Sequence, residues 1–118
     1  MELGNMKLTV RFYRSHSGTE PVRRWLKSLS VEQKKAIGED IKTVQFGWPL
    51  GMPLVEKLSP HLWEVRTKFS QGIARVLFTV DGDLMVLLHS FIKKSQKIPK
   101  QELSTAKTRL RNYQESES

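Results

Sequence analysis

Cysteine is absent from the 118-residue sequence. That absence excludes disulfides, thiolate nucleophiles and cysteine-ligated zinc, and it suits a reducing compartment. No apolar run approaches the roughly 20 residues that span a bilayer. The first residues, Met1 to Lys7, lack the apolar stretch of a secretory signal. The expected location is therefore the cytoplasm, with no membrane partner. There is no glycine-rich phosphate loop, no His-Glu-x-x-His motif and no nucleophile elbow. His16, His61 and His89 are scattered without ligand spacing, so neither a metal nor another cofactor is expected. Acidic residues are also scarce, 12 against 20 lysines and arginines. Two of them, Asp81 and Asp83, flank Gly82 in a turn signal, which explains them better than paired-acid chemistry does.

What is present starts with charge. The formal net charge is +8 and the sequence pI is about 10.0. Self-repulsion of this size says nothing about fold, but it suits a polyanionic partner. Nucleic acid is the favoured class, over an acidic protein or a merely basic surface. The length fits one domain over 1–118, and a hydrophobic fraction of 38% supports one modest core.

Met6 to Tyr13 alternates, with Leu8, Val10 and Phe12 on one face, as a half-buried strand does. After the His16-Ser-Gly-Thr19 turn, Glu20-Pro21 opens a short helix to about Leu29. Ser30 and Gln33 form a capping-box signature for a second helix, which Gly47-Trp48-Pro49 ends near Phe46. The two helices make a hairpin that packs on one sheet face. From Leu54 the period changes. Leu54–Leu58 reads as a short extended piece, turned by Ser59-Pro60-His61, and Leu62–Phe69, Ile73–Val80 and Leu84–Ile92 as strands joined by turns at Gln71-Gly72 and Asp81-Gly82-Asp83, three or four strands in all. The last is nearly all apolar, so it is expected to be covered on both faces. Pro99 opens a final helix from Lys100 to about Tyr113, and 114–118 is expected to fray. The fold class is α+β: an N-terminal strand, a helical hairpin, an antiparallel meander and a C-terminal helix.

Cations stand on these strands. Arg66 and Lys68 project from one strand and Arg75 from the next, across the Gln71-Gly72 turn. Lys93, Lys94 and Lys97 follow the apolar strand directly. Neighbouring strands lie about 4.8 Å apart, so these side chains can share one face. Like charges opposite one another destabilise a sheet, so such a cluster calls for an anion. A phosphate suits guanidinium forks. The alternative is separate pairing with Glu56, Glu64 or solvent; spacing favours the cluster. Metal-free RNA cleavage needs a base for the ribose 2′-OH, neutralisation of charge on the phosphate and an acid for the leaving 5′-oxygen. Arginine and lysine can in principle supply all three, and a passive binder would carry the same composition. Trp63 is read as sheet packing, and Trp48 as a cover for the helix end.

Three segments together carry a resemblance: Leu62-Trp-Glu-Val-Arg66, Ala74-Arg75-Val-Leu-Phe78, and Leu87-Leu-His-Ser-Phe91-Ile-Lys-Lys-Ser-Gln-Lys-Ile-Pro99. With Glu102 and Ala106 on the following helix, they resemble the HigB-like, phage-derived branch of the RelE/ParE toxin superfamily, over about residues 8 to 113. The resemblance implies a RelE-like fold and the toxin of a type II toxin–antitoxin pair. It implies a ribosome-dependent, metal-independent endoribonuclease that cuts mRNA in the ribosomal A site, leaving a 2′,3′-cyclic phosphate and a 5′-OH. The implied partners are ribosome-bound mRNA and a cognate helix-turn-helix antitoxin. Carried over by position, Arg75 is the implied transition-state clamp, and Arg66, Lys93 and Lys94 share base, acid and electrostatic roles. Lys57, Lys68 and Lys97 are implied RNA-holding cations, and Tyr113 is the one late aromatic that could stack on a base. His89, inside the apolar strand, is read as a core or strand-face histidine. Two other functions stay open: a gyrase-inhibiting toxin of the same superfamily, and a non-catalytic nucleic-acid-binding phage or regulatory protein.

Overall fold

The structure, a computed structural model, describes residues 5–94 and 97–117. Residues 1–4, Ser118 of the tail, and Ser95 and Gln96 of the Lys-Lys segment lie outside the described residues. The elements are β1 (Thr9–Phe12), α1 (Pro21–Lys27), α2 (Val31–Gly47), β2 (Val55–Ser59), β3 (Leu62–Phe69), β4 (Gly72–Asp81), β5 (Leu84–Lys93) and α3 (Lys100–Glu117). One five-stranded sheet runs in the order β1-β5-β4-β3-β2. The β2–β5 meander is antiparallel, and β1 joins its far edge parallel to β5. The α1–α2 hairpin therefore carries the chain from one edge of the sheet to the other.

Two cores result, one on each face. On the first, Val22 of α1 and Ile37, Ile41 and Val44 of α2 cover Val65, Val76, Phe78, Met85 and Leu87. On the second, Ala106, Leu110 and Tyr113 of α3 cover Leu62, Leu77, Val86, Leu88 and Phe91. The apolar run of β5 thus divides its side chains between the two faces, as a strand covered on both sides must.

Local signals held where they were chemical. Ser30 accepts from the Gln33 amide at 3.1 Å, and the Gln33 side chain accepts from the Ser30 amide at 3.1 Å. Gly72 turns the β3–β4 hairpin at φ 145°, where a Cβ would meet the Lys93 backbone at 3.2 Å. Several boundaries moved: α1 ends at Lys27 rather than near Leu29, β2 is shifted by one residue to Val55–Ser59, and two larger shifts have visible causes or contacts. β1 begins at Thr9 rather than Met6, because the Lys7 and Leu8 amides donate to the Gln45 carbonyl at the end of α2. The last helix continues beyond Tyr113 to Glu117, where Arg11 Nη1 lies 3.4 Å from the Glu117 carboxylate.

Candidate nucleic-acid interface

Register decides which cations share a face. Arg66 stands directly opposite Arg75, and Arg75 opposite Phe91. The neighbouring row toward the β3–β4 turn is Lys68–Ile73–Lys93, and the row on the other side is Glu64–Leu77–His89. Opposed residues of a ladder point to the same side. All three rows therefore belong to the α3 side, the side of Leu77 and Phe91.

The cluster expected from the sequence exists, and the protein supplies its anion. Glu64 Oε1 lies 3.3 Å from Arg66 Nε and 3.3 Å from Arg75 Nη1, while Glu56 reaches Arg66 Nη1 at 3.7 Å. The separate-pairing alternative is thus realised within the cluster. Glu64 and Arg75 are both 0% exposed. Burial pushes the Glu64 carboxyl above its ordinary range, and the charges of Arg75 and then Arg66 pull it back. As placed, Arg75 offers a ligand no surface. The Arg66 side chain keeps 13% exposure and stands on the solvent side of the group.

The other candidates separate. Lys68, Lys93, Lys94 and Lys97 are exposed, and Lys68 and Lys93 flank Ile73 on the Arg66 face. Lys57 pairs in register with Trp63, so it faces the α1–α2 side, with its Nζ 5.6 Å from the Trp63 ring centre. Trp63 packs edge-on to Trp48 and stacks on Phe78, and Trp48 meets both rings. Tyr113 is only 7% exposed and donates its hydroxyl to Asp81 at 2.7 Å. Asp81 sits at the β4–β5 turn, opposite Leu84. Nine residue steps of β5, about 30 Å, separate that turn from Lys93. The structure therefore does not bring Tyr113 or Lys57 to the cation rows.

A β-bulge sets this arrangement. Leu77 pairs with His89 but Phe78 with Leu87, so Leu88 is the extra residue. Strict alternation after Val86 and Leu88 would send His89, Phe91 and Lys93 to the α1–α2 face. The bulge reverses the phase and returns all three to the α3 face. Arg109 of α3 holds it: Nη1 donates to the Leu88 carbonyl at 2.9 Å and lies 3.0 Å from His89 Nδ1. Arginine only donates, so Nδ1 accepts and His89 Nε2 carries the proton it gives to Glu102, 2.7 Å away. The Glu102–His89–Arg109 chain is the part of the site that sequence reasoning missed. His89 is a strand-face histidine, as expected, but no local signal shows the bulge that turns it toward α3.

Among the described residues no group of three or more histidines and acids could hold a metal ion, and no helix is long and apolar enough to cross a membrane. No curated protein matches the chain significantly. The family model of the phage-derived Gp49-like proteins (DUF891) matches residues 24–111, from the middle of α1 through most of α3. With most of its length matched, and with a fold compatible with the RelE type, the chain belongs to the phage-derived Gp49-like family, a RelE/toxin-like family.

Proposed function

We propose that this protein is the toxin of a type II toxin–antitoxin pair, and that it cuts mRNA on the ribosome. The observation that carries this is the placement of Arg66, Lys68 and Lys93 on one sheet face at one end of the sheet. The Gp49-like family and the net charge of +8 support it.

The scissile phosphate lies over Arg66, with Lys68 and Lys93 on either side of Ile73. A base takes the 2′-OH proton, the 2′-oxygen bonds to phosphorus, and the P–O5′ bond breaks. An acid protonates the 5′-oxygen, leaving a 2′,3′-cyclic phosphate and a 5′-OH. Arg66 is charged throughout and stabilises the extra negative charge that builds on the phosphoryl oxygens. Lys93, Lys94 and Lys68 are the groups available for proton transfer and charge stabilisation. Arg75 holds Glu64, and Glu64 in turn fixes the Arg66 guanidinium, so Arg75 is a positioning residue here. A helix-turn-helix antitoxin is the proposed protein partner, and the cytoplasm the proposed compartment.

The test is expression without antitoxin, followed by primer extension on translated messages and by cleavage on purified programmed ribosomes. Wild type is expected to cut, and Lys93→Ala with Lys68→Ala to lower the cleavage rate about a hundredfold or more. Growth arrest with intact messages and inhibited DNA supercoiling would replace this function with gyrase inhibition. RNA binding without any cleavage on the ribosome would leave a passive binder.

A further inference from the structure

A second set of cations lies in the cleft between α1 and α3. The cleft holds about 780 Å³ and shares no lining residue with the Arg66–Lys93 face. Arg24 and Trp25 enter from α1, and Thr105, Thr108 and Arg109 from α3. Most of the remaining lining side chains are hydroxyls or amides, and no carboxylate is among the described residues that line it.

Arg109 is half-buried, and both of its direct acceptors, the Leu88 carbonyl and His89 Nδ1, are neutral. Glu102 is bonded to the far side of the same imidazole. Only Nη1 of Arg109 is engaged with described residues, which leaves the Nε and Nη2 hydrogens to be met. Burial lowers the Arg109 pKa, with Tyr13 and Glu102 working the other way. Arg24 is exposed, and its guanidinium has no hydrogen bond or ion pair to any described residue. A cleft with these two guanidinium groups, hydroxyl donors and no acid among its described lining residues is complementary to an oxyanion. Partial burial of Arg109 strengthens its share of that attraction relative to open water.

We propose that the α1–α3 cleft binds the phosphate of a nucleotide, with Arg24 and Arg109 on the phosphate oxygens and Trp25 beside the base. Two guanidinium forks match a tetrahedral phosphate dianion better than a carboxylate, because three oxygens are available to them. The Glu102–His89 pair positions Arg109 from behind, so the fork is fixed before the ligand arrives. The site does not depend on RNA cleavage, and failure of either proposal leaves the other standing.

The experiment is a titration of the full-length, isotope-labelled chain with inorganic phosphate, adenosine 5′-monophosphate and adenosine, followed by nuclear magnetic resonance. Saturable shifts of the Trp25 indole and the Arg109 side chain are expected with the first two and not with adenosine. Tighter binding of the monophosphate than of inorganic phosphate identifies a nucleotide as the ligand. Equal binding identifies the phosphate alone. Arg24→Ala, an exposed substitution, should weaken binding at least about fivefold (about 1 kcal/mol by the usual affinity arithmetic) with no change in the unliganded spectrum beyond its neighbours. Lys68→Ala, on the other site, should leave this titration as it is. Absence of saturable shifts, affinity unchanged by Arg24→Ala, or affinity lost with Lys68→Ala instead would each overturn the proposal.

Discussion

Glu64 serves two arginines that stand opposite each other in a ladder, and a single carboxylate oxygen lies 3.3 Å from both. Removing it would leave two cations face to face, one of them fully buried. Breaking a buried pair by deleting one partner costs about 3–5 kcal/mol. Glu64→Ala is therefore expected to lower unfolding free energy by about that much in urea titrations, and a loss under about 1 kcal/mol would show that the cluster is held by something else. Tyr113 makes a second residue-level prediction. Burial first, and its hydrogen bond to Asp81 second, push its phenol from 10.0 up to about 12. Above pH 10 the unfolded chain releases this proton while the folded chain keeps it. The contribution is whole below pH 10 and is lost as pH rises through about 12, with a slope near 1.4 kcal/mol per pH unit. Comparing wild type with Tyr113→Phe cancels the lysines, which titrate in the same range. The variant is expected to lose stability less steeply by about one proton between pH 10 and 12.

At the scale of elements, what could be read in the sequence was what neighbouring residues decide. The capping box of α2 needs only Ser30 and Gln33, and it formed. Ser30→Ala is accordingly expected to cost about 1 kcal/mol, measured as a shift of the urea midpoint at unchanged slope. The meander was legible because each strand has a period of two and each turn its own residues. The start of β1 was not, since Lys7 and Leu8 give their amides to an α2 carbonyl nearly forty residues away. Nor was the bulge at Leu88. The run Leu84–Ile92 is apolar except for His89 and Ser90, which are adjacent, so its own pattern fixes no phase for His89 or Lys93. The phase is set by pairing with β4 and by Arg109 reaching in from α3. Arg66 and Arg75 could be paired from the Gln71-Gly72 turn, yet their burial depends on Glu64 and on the cover given by other elements. For that reason the cluster was legible and its internal neutralisation was not.

For the whole molecule, the excess of 20 basic over 12 acidic residues is a single number, and the fold distributes it unequally. Arg66 and Arg75 are largely matched by Glu56 and Glu64. Lys68 and Lys93 are exposed cations at that end and lie on the same face. Lys57 points to the other side of the sheet, beside Trp63. Nucleic-acid affinity should follow this distribution and not the net charge. Each phosphate contact with a single strand contributes about 0.7 to the slope of log affinity against log salt. With a short single-stranded RNA followed by fluorescence anisotropy across a potassium chloride series, Lys68→Ala combined with Lys93→Ala should lower that slope by about 1.4. Lys57→Ala removes the same unit charge from the opposite face and should leave the slope within error of wild type. Equal losses from Lys57→Ala and from either of the other substitutions would mean that RNA senses only a diffuse positive surface, and the face defined by the β5 bulge would lose its claim to be the interface.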